Sequence, residues 1–133
     1  MAAEVLVTIS RDADIVQARQ EGRELAVAAG ISGSDLTMIA TAISEVARNI
    51  LVYAEQGTIR LSLAERSGHR GVEVVAEDRG PGIPDLELAL RDGYSTGKSL
   101  GLGLPGARRL MDEFEIVSQP GQGTSVTMRK WAR

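Results

Sequence analysis

The sequence predicts an α+β fold, a two-layer α/β sandwich in which a mixed, mostly antiparallel sheet carries its helices on one face. Strand patterns occur in hairpin-like pairs, at residues 58–65 with 71–80 and again within 114–131, and strands joined by short turns pair antiparallel. Two long helical patterns precede these pairs. Helices and strands are therefore segregated, which favours a two-layer sandwich over a doubly wound parallel fold.

The first three elements are a strand and two helices. Residues 4–9 (EVLVTI) are rich in Val, Ile and Thr and predict a strand, and the polar run SRDAD after it supplies helix-capping oxygens. A helix follows from Ile15 to Ala28, with Gly30 at its expected C-terminal cap. The second helix is predicted from about Asp35 to Ala54 on an apolar stripe at intervals of three and four residues: Leu36, Ile39, Ala40, Ile43, Val46, Ala47 and Ile50.

The rest of the chain predicts four strands and one short helix. TIRLSLAE and GVEVVAEDRG alternate apolar and polar residues, and the loop SGHRG between them contains His69, the one histidine. Beyond Gly82 the chain becomes irregular, LPGARRLMDEF predicts a short helix, and FEIVSQPGQGTSVTMRKW predicts two strands about a PGQG turn. The predicted order is βααββ, then a lid-like segment, then αββ.

Size and composition indicate one soluble globular domain. A chain of 133 residues is of the commonest size for one domain, so we expect residues 1–133 to form a single unit. Fifteen basic and eighteen acidic side chains give a net charge of -3 with no basic block, which excludes nucleic acid as a partner class. No apolar run long enough to cross a membrane and no targeting peptide is visible, so we expect no membrane partner and a cytoplasmic location.

A carboxylate and an amide stand one helical turn apart in the second predicted helix. Glu45 and Asn49 are four residues apart and so share a helix face, where their oxygens could act together. The alternative is a solvated stripe opposite the core. By itself the spacing does not decide between these interpretations.

A turn rich in glycine and proline ends the third predicted strand. In the stretch 77–84 (EDRGPGIP), Asp78 stands at the strand end and Gly80 and Gly82 follow. A carboxylate that accepts hydrogen bonds, next to glycine backbone that a flat ligand can approach closely, suits recognition of a nucleotide base. The alternative is an ordinary turn.

The stretch from Gly93 to Gly106 (GYSTGKSLGLGLPG) contains two incomplete phosphate-binding motifs. GYSTGKS lacks one residue of the P-loop spacing and no strand precedes it, and GLGLPG does not follow the first strand of a βαβ unit. Both motifs are therefore disfavoured. Glycines that lead into a helix still expose backbone N–H groups where anionic phosphates bind, and the alternative is a flexible loop with a helix cap.

Taken together, EVARN at 45–49, DRGPG at 78–82, GLGL at 101–104 and GTS at 123–125 resemble the GHKL (Bergerat-fold) ATPase and kinase superfamily. The resemblance covers nearly the whole chain. Within that superfamily the chain is similar to the anti-sigma-factor serine/threonine kinases, in particular the switch kinases of bacterial stressosomes.

The resemblance implies that ATP and Mg²⁺ bind and that Glu45 is the general base. It further implies that Asn49 holds Mg²⁺, that Asp78 accepts a hydrogen bond from the adenine amino group, and that Thr124 helps to fix Asp78 or a water near adenine. The implied glycine-rich contacts to the base are Gly80 and Gly82, and those to the phosphates are Gly101, Leu102, Gly103 and Leu104.

The γ-phosphate also needs a cation beyond Mg²⁺, and the sequence leaves three candidates open: Arg48, Lys98 and Arg108. One departure from the family pattern bears on this point. Lys98 and Ser99 stand in the lid where a run richer in glycine is typical of the family, and this departure concerns phosphate binding and lid mobility.

The resemblance implies a protein serine/threonine kinase that phosphorylates STAS-domain antagonist or scaffold proteins in a partner-switching stress response. The kinase would then activate a downstream effector such as a phosphatase or a cyclase-type regulator, and a homodimer is possible. The main alternative is a nucleotide-dependent binding module of the anti-sigma-factor kind, against which the presence of both Glu45 and Asn49 argues. A detached histidine-kinase domain and a structural protein with accidental motifs are disfavoured.

Overall fold

The computed structural model describes residues 4–82 and 103–133. Within those ranges the elements are, in chain order, β1 (Glu4–Ile9), α1 (Asp12–Ala28), α2 (Ser34–Ala54), β2 (Gly57–Arg66), β3 (His69–Asp78), α3 (Gly103–Leu110), β4 (Glu113–Gln119) and β5 (Gly123–Trp131). This order agrees with the predicted one. The predicted lid-like segment falls largely at 83–102, outside the described residues.

The five described strands form one sheet in the order β1-β2-β3-β5-β4, and each neighbouring pair is antiparallel. The sheet register brings distant residues into one row: Gly57 faces Asp78, Asp78 faces Thr124, and Thr124 faces Ser118. That row lies at the end of the sheet where β3 leads into the Gly80 turn. The predicted α+β class is confirmed.

Alternation along the strands separates a buried sheet face from an open one, because successive side chains of a strand point to opposite faces. On β3 the buried residues are Val72, Val74 and Ala76, and their neighbours on β5 are Met128 and Val126. The buried face packs with residues of α1, α2 and α3 in a single apolar cluster. The helices therefore form the second layer of the sandwich.

Helix α2 is the central element of that cluster. Its residues Ile39, Ile43, Val46 and Ile50 are almost fully buried, as the apolar stripe predicts. By length and mean hydropathy alone (1.2 over eighteen residues) α2 also resembles a membrane-spanning helix, although the sequence suggested that no segment qualifies. Half of that window is buried inside the fold, which is the behaviour of a core helix and makes the hydropathy weak evidence for a membrane span.

Local structure differs from the prediction at several boundaries; helix α1, for example, begins at Asp12, before the predicted start at Ile15. Helix α3 ends at Leu110 rather than near Phe114, because from Glu113 the chain pairs with β5 and the side-chain period changes from helical to alternating. His69 lies in β3, paired with Arg66, rather than in a loop, because the turn needs only Ser67 and Gly68, both with positive φ.

Candidate functional site

Helix α2 carries the two polar side chains that the sequence singled out. Glu45 is 7% exposed and Asn49 is half-buried. A spacing of four residues puts them on the same helix face, one turn apart. Burial of a carboxylate costs free energy unless partners compensate it, so the contacts of Glu45 are informative.

Glu45 binds the first residue of α3. Its Oε1 accepts a hydrogen bond of 2.9 Å from the backbone N–H of Gly103, and its Oε2 lies 3.8 Å from the Arg48 guanidinium. The first N–H groups of a helix have no partner inside the helix, and a carboxylate is favoured at that positive end. Glu45 therefore satisfies the start of α3 while α3 holds the carboxylate in place.

Asp78 is the last residue of β3, at the start of the Gly80 turn, and is half-buried. Its Oδ1 accepts a 2.9 Å hydrogen bond from the backbone N–H of Gly80. Burial raises the pKa of Asp78, and backbone hydrogen bonds from Gly80 and Thr124 oppose that rise without cancelling it. The Asp78 carboxyl thus accepts backbone hydrogen bonds from the Gly80 turn and from Thr124 on β5, and burial removes part of its hydration.

Thr124 lies beside Asp78 because of the register between β3 and β5. It is 5% exposed, and its Oγ1 is 2.8 Å from Oγ of Ser118. Ser118 was not singled out from the sequence. The signal that could have found it is its place on the inward face of β4, two residues after Ile116, opposite Thr124 in the predicted hairpin.

The glycines of the Asp78 turn pack closely against protein backbone. A Cβ on Gly80 would lie 2.5 Å from Cβ of Ala54 at the end of α2. Gly82 has φ +80, and a Cβ there would lie 2.6 Å from the carbonyl oxygen of Gln119. The Pro81 carbonyl also accepts a 2.8 Å hydrogen bond from the N–H of Gly121. The glycines let this turn fit between α2 and the β4–β5 turn.

Three of the implied nucleotide contacts lie outside the described residues: Lys98, Gly101 and Leu102. Of the others, Gly103 begins α3 with its N–H on Glu45, and Leu104 is 4% exposed in the core. Among the candidate cations, Arg48 lies beside Glu45, whereas Arg108 lies in the last turn of α3.

The described residues include side chains of the chemical types that bind nucleotides and divalent cations. A cavity of about 490 Å³ adjoins Asp78, with Ala54, Gly57 and Thr58 in its wall, and small-molecule sites typically enclose roughly 300–1,000 Å³. Glu45, Asn49 and Gly103 do not line this cavity, so it bears on the Asp78 side of the candidate site alone. Mg²⁺ prefers oxygen ligands and keeps several waters, with few protein ligands in nucleotide sites. Asn49, one helical turn from Glu45, carries an amide oxygen of that kind.

Comparison with known proteins identifies the family of this chain. Residues 9–130 match the family described as histidine kinase-like ATPase domain. The chain is 48% identical to the serine/threonine-protein kinase RsbT of Bacillus subtilis (strain 168) over 127 residues, which cover 96% of each chain. It is 34% identical to an anti-sigma F factor of Halalkalibacterium halodurans over 72% of this chain and 69% of that protein.

A solved structure supports the fold independently of close sequence similarity. The mycobacterial sensor histidine kinase MprB superposes with a TM-score of 0.58 at 17% identity, covering 98% of this chain and 99% of that one. Identity at that level shows the fold alone. Together with the family match and the RsbT similarity, it establishes that this chain belongs to the histidine kinase-like (GHKL) ATPase family, in the group of serine/threonine protein kinases that contains RsbT.

Proposed function

We propose that this protein transfers the γ-phosphoryl group of ATP to a serine or threonine of a STAS-domain antagonist or scaffold protein. The transfer would release the kinase to activate a downstream effector, such as a phosphatase or a cyclase-type regulator, in a stressosome-like stress response. The similarity to RsbT over nearly the full length of both chains supports this proposal. The cell compartment that suits it is the cytoplasm.

The observation that carries the proposal is the contact between Glu45 and Gly103. One carboxylate oxygen is engaged by the α3 N–H at 2.9 Å, while the other lies near Arg48 at 3.8 Å. A general base must be held in position and must keep one oxygen for the proton that it removes. Glu45 would remove the proton of the substrate hydroxyl while the hydroxyl oxygen bonds to the γ-phosphorus and the bond between the γ-phosphorus and ADP breaks.

The remaining residues would position the nucleotide. Asp78 would accept a hydrogen bond from the adenine amino group, the α3 N-terminus would face the phosphates, and Asn49 would hold Mg²⁺, which neutralises phosphate charge when bound. Arg48 is the described cation beside Glu45 and would oppose the charge that develops on the transferred group. Phosphoryl transfer depends mainly on such positioning and charge neutralisation.

The second candidate is a nucleotide-dependent binding module in which catalysis is secondary. Similarity to anti-sigma F factors, at 32% identity for the Thermoanaerobacter sp. (strain X514) protein, favours it. The presence of Glu45 in a buried, fixed position favours the kinase, because a binding module needs no general base.

The test compares Glu45→Gln with Glu45→Ala. Purified variants are incubated with Mg²⁺ and γ-labelled ATP, with and without STAS-domain proteins from the same genome, and ATP affinity is measured by calorimetry. Gln keeps an acceptor for the Gly103 N–H but cannot take a proton, so we expect it to retain ATP binding and to lose label transfer. Ala provides neither an acceptor nor a base, so Glu45→Ala should lose both ATP binding and label transfer.

The wild-type result separates the two candidate functions. Label on a STAS serine or threonine supports the kinase, whereas tight ATP binding without transfer to any STAS protein supports the binding module. Equal transfer by Glu45→Gln and the wild type would exclude Glu45 as the base.

A further inference from the structure

One buried charge in the described residues has no part in the proposed chemistry. Lys130 on β5 is 3% exposed and points to the helical side of the sheet. A buried lysine is uncommon unless its ammonium is paired. Its partners therefore indicate why this position is charged.

Lys130 Nζ lies among groups from two segments, the end of α3 with the residues after it and the first turn of α2. It donates a 2.8 Å hydrogen bond to the carbonyl oxygen of Leu110, the last residue of α3. It also lies 3.8 Å from Oδ1 of Asp112 and 4.0 Å from Oδ1 of Asp35, in the first turn of α2. A cation is favoured at a helix C-terminus, where carbonyl groups lack partners inside the helix.

The N-terminal end of α3 is thus attached to α2 directly, and its C-terminal end is attached to Lys130 of β5, whose ammonium lies 4.0 Å from Asp35 of α2. The N-terminal N–H of Gly103 binds Glu45, and the C-terminal carbonyl of Leu110 binds the ammonium beside Asp35. At about 1.5 Å per residue, Gly103 to Leu110 spans roughly 10 Å and Asp35 to Glu45 roughly 15 Å. The lengths are compatible with α3 lying antiparallel along α2 between these attachments.

A short helix needs both attachments to keep its axial position. Helix α3 has eight residues, too few to be stable without tertiary contacts. If the C-terminal attachment is lost, α3 can slide or fray along α2, and the N–H of Gly103 then leaves Glu45 for part of the time. The position of the phosphate-facing end of α3 depends in this way on a residue at the other end.

We propose that Lys130 is a positioning residue for the nucleotide site. It acts through α3, by holding the Leu110 carbonyl so that the Gly103 N–H stays on Glu45. The proposal rests on the proposed function in so far as it concerns ATP. The attachment of α3 itself does not depend on that function.

Arg133 provides a matched comparison. It reaches the same two carboxylates, at 3.6 Å from Asp35 and 2.8 Å from Asp112, but it is 66% exposed and these contacts do not include the Leu110 carbonyl. Arg129, one residue before Lys130, has its side chain on the open sheet face, where it pairs with Glu73 and Glu113. Arg133→Met controls for the loss of a cation beside Asp35 and Asp112. Arg129→Met controls for the general loss of ion pairs.

The experiment is hydrogen exchange of the 103–110 amides together with ATP affinity, on Lys130→Met, Arg133→Met and Arg129→Met. Met fills much of the space of the lysine stem without an ammonium. We expect Lys130→Met to speed exchange at the start of α3 by at least about tenfold and to weaken ATP binding roughly three- to tenfold. Both controls should match the wild type in these readouts, even where their thermal stability falls.

A purely structural role for Lys130 would lower stability without a selective effect on α3 or on ATP. Wild-type exchange at 103–110 in folded Lys130→Met would overturn the proposal. If Lys130→Met does not fold, Lys130→Leu, which also lacks a donor, is measured in its place and judged by the same exchange readout. Failure of the wild type to bind ATP would overturn the proposed function instead, and exchange in the nucleotide-free protein would still decide the role of Lys130.

Discussion

Replacement of Gly80 by alanine tests the packing of the Asp78 turn against α2. The added Cβ would lie 2.5 Å from Cβ of Ala54, 2.8 Å from its Cα and 3.1 Å from the carbonyl oxygen of Tyr53. Carbon atoms prefer about 3.5–4.0 Å, so the turn would have to move by roughly 1 Å. Two of these three contacts are to backbone atoms of α2, which cannot rotate away as the end of a flexible side chain can.

The displacement should reduce both stability and nucleotide binding. Overpacking of this kind costs about 1–3 kcal/mol. The Gly80 N–H is 2.9 Å from Asp78 Oδ1, and a shift of roughly 1 Å would take it beyond hydrogen-bonding distance. We expect the midpoint of urea unfolding to fall at unchanged slope. The affinities of the protein for ATP and for ADP should fall by the same factor, since the change lies on the adenine side of the proposed site.

The control is Gly80→Ala combined with Ala54→Gly. The second change removes the contact at 2.5 Å but leaves the one to the Ala54 Cα at 2.8 Å, so partial recovery is expected. Wild-type stability and ATP affinity in Gly80→Ala alone would show that the turn can move away from α2 at no cost, and would refute this argument.

Three further changes test individual contacts. Burial raises the pKa of Asp78 above 3.8, so ionisation of Asp78 lowers the stability of the wild type as pH rises. Melting temperatures measured from about pH 3 to pH 8 should therefore show that Asp78→Asn gains stability relative to the wild type. Hydrogen bonding by the Trp131 indole lowers the pKa of Glu113 below 4.5, so Glu113→Gln should be less stable at neutral pH, and the difference should disappear on acidification. A Cβ on Gly22 would overlap Cδ1 of Ile43; Gly22→Ala should destabilise the wild type but stabilise Ile43→Val by about 1 kcal/mol through helix propensity, as measured by denaturation.

Local patterns were enough to predict most of the fold. The stripe of α2 and the alternation of β4 and β5 are properties of consecutive residues, so helical and extended periods can be identified without the rest of the chain. The pairing of Glu45 with Asn49 is likewise local, because a helix brings residues four apart together. The end of α3 was predicted too late because Met111 and Asp112 suit either a helix or a turn, and the choice depends on pairing with β5.

The sequence by itself thus determined the elements and the α+β class, since both depend on composition or on spacing along the chain, while the resemblance of its motifs to a known family selected the residues of the candidate site. Only the tertiary structure decided which of them meet. Sheet register places Thr124 beside Asp78 and Ser118 beside Thr124. The packing of α3 on α2 puts the Gly103 N–H on Glu45, and Lys130 Nζ binds the Leu110 carbonyl. These contacts join residues up to 58 positions apart in the chain, and such contacts depend on how whole elements pack together, which no local pattern encodes.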